Sequence, residues 1–221
     1  MRNLLNFIKN RKIRSIILLS FLLILYTLVC ATSYAKAVST EISSNIFRLH
    51  VIANSNSCED QNLKYIVRNN IIDYMNNISY NCQTKQEAID LAKQNIEMFR
   101  QIALETIYSK GYNYDVNIEV GNFYFPTKTY GDISFPAGTY DALKIEIGEA
   151  IGQNWWCVMF PSLCFIDVDS SYVSDSSKEL LDKNLSNESY ELISNNSNSE
   201  KKFKFKILEF FADNPIFTAN K

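Results

Sequence analysis

The chain has 221 residues, 47% hydrophobic and 13% aromatic, with a formal net charge of −2. That is enough apolar material for one compact core and too little length for two large domains. The first 37 residues hold six of the 22 basic residues and none of the 24 acidic ones, so the remainder carries 16 positive against 24 negative charges, a formal −8. So acidic a chain argues against nucleic acid or an anionic membrane surface as partner, since both are met by clustered Lys and Arg.

At the N-terminus, Arg2, Lys9, Arg11, Lys12 and Arg14 precede an uncharged run from Ile16 to Val29. That run has the length of a signal-peptide h-region and falls short of the roughly 20 residues of a spanning helix. Ser33-Tyr34-Ala35 and Ala35-Lys36-Ala37 supply small residues at two cleavage positions, so cleavage is expected after Ala37 or Ala35. A lipoprotein signal at Cys30 is disfavoured because Val29 is too large to precede it. The alternative is an uncleaved anchor reaching to Ala31, with the basic flank on the cytoplasmic side. Either way the bulk of the chain lies outside.

Ile46 to Ala53 alternates as a half-buried strand, with Phe47, Leu49, Val51 and Ala53 on one face and Arg48, His50 and Ile52 on the other. Asn54 to Ser57 ends it and starts a helix: Ser57 caps, and Glu59 and Asp60 complement the positive end of the dipole. That helix runs to about Asn76, with Leu63, Ile66, Val67, Ile71, Tyr74 and Met75 as its apolar stripe. Thr84 and Glu87 form a capping box for a second, longer helix to about Ser109, closed by Gly111. From Asn113 the period changes to two, Gly121-Asn122 reads as a tight hairpin turn, and Phe123 to Tyr130 as an aromatic return strand. Tyr140 to Gly148 and Trp155 to Phe160 are the next strands.

The predicted fold is α+β: a single domain with a mainly antiparallel sheet and two amphipathic helices packed on it, behind a signal peptide. Residues 1–37 form the signal or anchor, 38–166 the folded domain, 167–200 a mobile Asn/Ser-rich linker, and 201–221 a last strand from Lys202 to Ile207 with a short apolar end.

Chemistry is sparse. The only histidine, His50, lies in a strand among aliphatic neighbours, where packing is the ordinary role. Glu59 with Asp60, and Asp167 with Asp169, are explained by capping and solvation. The six glycines form no phosphate-binding cluster, and the cysteine spacings do not fit zinc. No catalytic residue, metal or cofactor is expected. Of the four cysteines after the signal, Cys58 and Cys82 are separated by a helix too long for easy bridging, while Cys157 and Cys164 flank a short Pro-containing turn and can pair. Adjacent Trp155 and Trp156 point to opposite faces of one strand, so both cannot enter the same core: the ordinary reading is that loops cover both rings, and the alternative is that one of them anchors a contact.

Three stretches carry a resemblance. They are Arg48 to Ser55 with Glu59-Asp60-Gln61 and Arg68; Phe125-Pro126 through Tyr130-Gly131 with Pro136 to Leu143; and Asn154 to Pro161 with Cys164. Together they resemble the stage II sporulation protein R family, departing from it at Cys58, where the family more often has proline. Cys157 and Cys164 are the family-like pair. The resemblance implies a protein made in the forespore and exported into the space between forespore and mother cell. There it would activate a membrane-embedded protease that processes a pro-sigma factor, acting by binding rather than catalysis. The partner contact is expected at Asn54, Ser55 and Asp60 and at Asn154, Trp155 and Trp156, with Arg48 and His50 in reserve. The competing readings are a secreted hydrolase using Cys157 or an acidic pair, and a wall-binding module that stacks Trp155 or Trp156 on sugar rings.

Overall fold

A computed structural model describes residues 11–164 and 173–194. The chain divides into two compact units, residues 1–38 and 39–221. The described residues of the first are the body of helix α1 (Arg11–Asn45), whose last turns belong to the second unit. Its large side chains from Ile16 to Val29 face outward, and by length and composition the helix can cross a membrane. It is a signal or anchor segment in character, compatible with export.

The second unit is built on a four-stranded open sheet in the order β2-β5-β1-β6. Its strands are β1 (Phe47–Ile52), β2 (Val116–Phe125), β5 (Gly138–Ile147) and β6 (Asn154–Phe160). Central β1 runs parallel to β5 and antiparallel to β6, and β2 runs antiparallel to β5. The sheet is therefore mixed and mainly antiparallel. The alternation of β1 puts Phe47, Leu49 and Val51 on one face, in register with Leu143 and Ile145 of β5 and Cys157 of β6. Helices α2 (Cys58–Ser79), α3 (Lys85–Gln94) and α4 (Ile96–Ser109) close over that face with Leu63, Val67, Ile71, Phe99 and Ala103. Burying this many Val, Leu, Ile and Phe side chains, each contributing about 1.5–3 kcal/mol, is what holds the layers together.

The helix starts follow their caps: Ser57 accepts from the Asp60 N–H at 3.1 Å and Thr84 from the Glu87 N–H at 3.3 Å. The single long helix expected from Thr84 to Ser109 is instead two, α3 and α4, broken at Asn95. The Asn95 amide donates to the Leu91 carbonyl at 2.8 Å, and its oxygen accepts the Tyr74 hydroxyl at 2.7 Å. A side chain competing for a main-chain carbonyl in this way ends a helical run that the apolar periodicity alone would continue.

The hairpin expected at Gly121-Asn122 is absent. Strand β2 runs straight through it, pairing Gly121 with Ala142 and Asn122 with Asp141, where the Asn122 amide donates to the Asp141 carboxylate at 2.8 Å. The Phe123 ring covers the space a Gly121 side chain would fill, so the glycine is a strand position roofed by an aromatic ring. Residues 123–130 are accordingly no return strand: β2 ends at Phe125, and a separate small hairpin, β3 (Lys128–Tyr130) with β4 (Ile133–Phe135), precedes β5.

Part of the expected linker is also folded. Helices α5 (Asp175–Asn184) and α6 (Asn187–Ile193) start on Ser174 and Ser186, each accepting a main-chain N–H, and they bury Leu181, Leu192 and Ile193. The serines that made the stretch look like a tether are its helix caps. Glu41 at the end of α1 accepts from the Ser186 and Ser189 hydroxyls at 3.0 and 2.6 Å, and Ser177 donates to the Ser162 carbonyl at 2.7 Å. The expected C-terminal strand from Lys202 to Ile207 lies outside the described residues.

Candidate interaction rim

Where β1 ends, its chain turns into α2, and the β5–β6 loop lies against the turn. The Asn54 amide donates to the Asp60 carboxylate at 2.8 Å, and the Ser55 hydroxyl to the same oxygen at 2.5 Å. The Asn54 oxygen accepts the Glu149 N–H at 3.0 Å. Asp60 is buried, which pushes its pKa up, but hydrogen bonds from Ser55, Asn54 and Tyr114 outweigh this and hold the carboxyl below its ordinary value. Asn54, Ser55 and Asp60 thus form an internal tie between three elements, with most of their hydrogen-bonding capacity turned inward.

The two tryptophans do stand on opposite faces. Trp156 pairs with His50 across β1–β6 and stacks on its ring, centroids 3.7 Å apart. Trp155 lies in register with Val51 on the helix side, half-buried at the edge of the core, with the Tyr65 ring edge-on at 5.5 Å. The Arg68 guanidinium lies over the Trp155 ring at 4.1 Å and near the Tyr65 ring at 5.0 Å, and the Lys64 ammonium is 4.8 Å from Tyr65. Trp155, Tyr65, Arg68 and Lys64 make one aromatic and cationic rim, to which exposed Gln153 and Asn154 are adjacent in sequence. Lys64 donates to the Gln61 oxygen at 2.6 Å and the Gln153 carbonyl at 3.0 Å. Burial, and after it the Arg68 charge, lowers its pKa. The composition gave no notice of this rim, but one signal was present: Lys64 and Arg68 sit one turn apart, flanking Val67 of the apolar stripe.

The reserve pair occupies the opposite face of β1. Arg48 is fully buried, donating to the Tyr130 hydroxyl at 3.0 Å and lying 4.3 Å from the Phe125 ring centroid and 4.9 Å from that of Tyr140. Tyr130 passes the chain on to the Trp156 carbonyl at 3.0 Å. His50 Nε2 lies 2.7 Å from the Asn154 side-chain oxygen. Burial pushes the His50 pKa down, countered by Asn154; Lys144 lowers it further and Glu146 raises it. The neutral ring is therefore the folded form, and the stability it contributes is present above the ordinary value of 6.5 and is lost as pH falls from there through the lower folded value. His50 is the only histidine, so His50→Phe is expected to flatten the pH dependence of the urea midpoint between about pH 7 and 5. An unchanged slope would place the titration elsewhere.

Cys157 and Cys164 are joined in a disulfide, while Cys58 is exposed and Cys82 is buried and free. A bridged Cys157 has no thiolate to offer as a nucleophile.

This geometry defines a class: an α+β domain, following an apolar signal or anchor helix in the chain, with an aromatic and cationic rim at one end of its sheet. Within that class the chain belongs to the stage II sporulation protein R family, whose profile matches residues 43–170. It is similar to the stage II sporulation protein R of Bacillus subtilis (strain 168), 34% identical over 152 residues, which cover 69% of this chain and 66% of that relative. No solved structure matches the chain. Family membership gives the chain a sporulation-related role.

Proposed function

We propose that this chain is an exported sporulation signal that binds and activates a membrane-embedded protease. Made in the forespore, it is exported into the space between forespore and mother cell. There it engages the outward part of the protease and favours its active state, and the protease then processes a pro-sigma factor in the mother cell. A ligand shifts such an equilibrium only by its differential affinity for the two states, so the domain needs a contact surface and no reacting group. The observation carrying this reading is that the family match, residues 43–170, coincides with the sheet-and-helix unit bearing the rim of Tyr65, Arg68 and Trp155.

The test is to co-produce the full chain, the protease and the pro-sigma factor in a non-sporulating host and follow the precursor by immunoblot. Processing only when all three are present is expected. No processing, with the exported domain shown to be folded, would overturn the reading. In the same assay Tyr65→Ala, which removes an exposed ring from the rim, is expected to reduce processing more than it lowers thermal stability.

A further inference from the structure

Lys64 and Arg68 lie one turn apart on α2, and among the described residues neither is paired with a carboxylate. Lys64 is almost completely buried, with amide oxygens as its hydrogen-bond partners. Arg68 is half-buried and donates to the Asn69 side-chain oxygen at 3.0 and 2.7 Å. Neutral oxygens satisfy hydrogen bonds but leave charge uncompensated, and like charges at this helical spacing repel. The chain after residue 37 is strongly acidic, at −8 formal charge with these two counted, so neighbouring cations that meet no carboxylate among the described residues stand out against it. Beside them the buried Trp155 indole N–H has no hydrogen-bond partner among the described residues. Asn69 takes Nε and one Nη2 hydrogen of Arg68, and among the described residues Nη1 has no acceptor, so the Nη1–Nη2 end of the stacked guanidinium is the side a carboxylate can meet.

We infer that the rim of α2 and β6 formed by Lys64, Arg68, Tyr65 and Trp155 seats an Asp or Glu side chain from an outward segment of the protease. Its carboxylate lies against the Arg68 guanidinium, and the neighbouring segment covers the two rings. The inference rests on the function proposed above and names the chemistry of its contact. A membrane surface is the poorer occupant, because an anionic bilayer repels a domain of net negative charge as a whole, whereas a single acidic side chain meets only the local cations.

The test uses the three-component assay with the full chain. Arg68→Glu is expected to lower precursor processing about tenfold or more at unchanged secreted amount. Changing the Asp and Glu residues of the protease's outward segments to Lys one at a time is expected to include one that restores processing with Arg68→Glu and impairs it with the unaltered chain. Normal processing by Arg68→Glu overturns the inference, as does failure of every reciprocal change to restore it. If Arg68→Glu is secreted in reduced amount, Arg68→Gln, which keeps part of the stem and loses the charge, replaces it, and normal processing by that variant is the overturning result. Absence of processing with the unaltered chain instead defeats the proposed function itself, so the two failures are distinct.

Discussion

Gly152→Ala is expected to destabilise the domain by about 2–4 kcal/mol, although the residue has an ordinary backbone conformation. The Gly152 N–H donates to the Ala53 carbonyl at 2.9 Å and the preceding Ile151 N–H to the Asn54 carbonyl at 3.2 Å, so the β5–β6 loop lies flat on the end of β1. A methyl group on Gly152 would stand 2.2 Å from the Ser55 carbonyl oxygen, 2.7 Å from its carbon and 2.8 Å from the Ala53 Cβ. None of these is the free end of a side chain, so the collision is relieved only by lifting the loop and losing both hydrogen bonds. Gly111 is the control. It has φ +83° but nothing within 4 Å of an added Cβ, so Gly111→Ala meets only conformational strain, about 1 kcal/mol. Urea denaturation of residues 39–221 measures both. The Gly152 variant is expected to lose more stability, and because Gln153 and Trp155 follow directly, to lose processing activity as well. A larger loss at Gly111 would mean that the loop is not clamped as described.

The strand β1 was legible from the sequence because its alternation is strict, and the first helix because Ser57, Glu59 and Asp60 state its start in local chemistry. What local pattern could not state is the part written in tertiary contacts. Asn95 lies in an amphipathic repeat, and only the Tyr74 hydroxyl, 21 residues away in sequence, shows why the helix stops there. Gly121-Asn122 carries a turn signature, but the neighbouring strand supplies Ala142 and Asp141 as partners and Phe123 roofs the glycine, so the strand wins. Serine-rich composition misled for a related reason: Ser174 and Ser186 are caps of helices held by Ser162 and Glu41. The tryptophan pair was legible as a two-faced element. Its cationic neighbours were not, because nothing in the spacing of Lys64 and Arg68 says that the fold brings Trp155 onto them.

Asp60→Ala is expected to cost about 3 kcal/mol, more than an ordinary first-turn acid is worth at a helix N-terminus. Removing the carboxylate leaves the Asn54 amide and the Ser55 hydroxyl without their acceptor in a buried site, takes a hydrogen-bond partner from Tyr114, and removes a negative charge from the start of α2. Asp60→Asn separates the parts: it keeps one acceptor oxygen and the shape but loses the charge, so its cost is expected to be about half as large. The same comparison fixes the sign of the pH dependence. The folded carboxyl titrates below its unfolded value of 3.8, so its contribution is complete above that value and is lost as pH falls through the lower, folded one. Urea midpoints followed from pH 7 to 3 are therefore expected to differ by a constant amount between the native chain and Asp60→Asn above about pH 5 and to draw together as pH falls below about 4. A constant offset across the whole of that range, its acid end included, would show that the carboxylate charge contributes nothing and that Asp60 acts through shape alone. The tie matters beyond stability, because the turn it fixes sets α2 against β6 and so places Lys64 and Arg68 beside Trp155. Loosening it with Asp60→Asn is thus expected to reduce processing even at pH 7, where that variant is still folded.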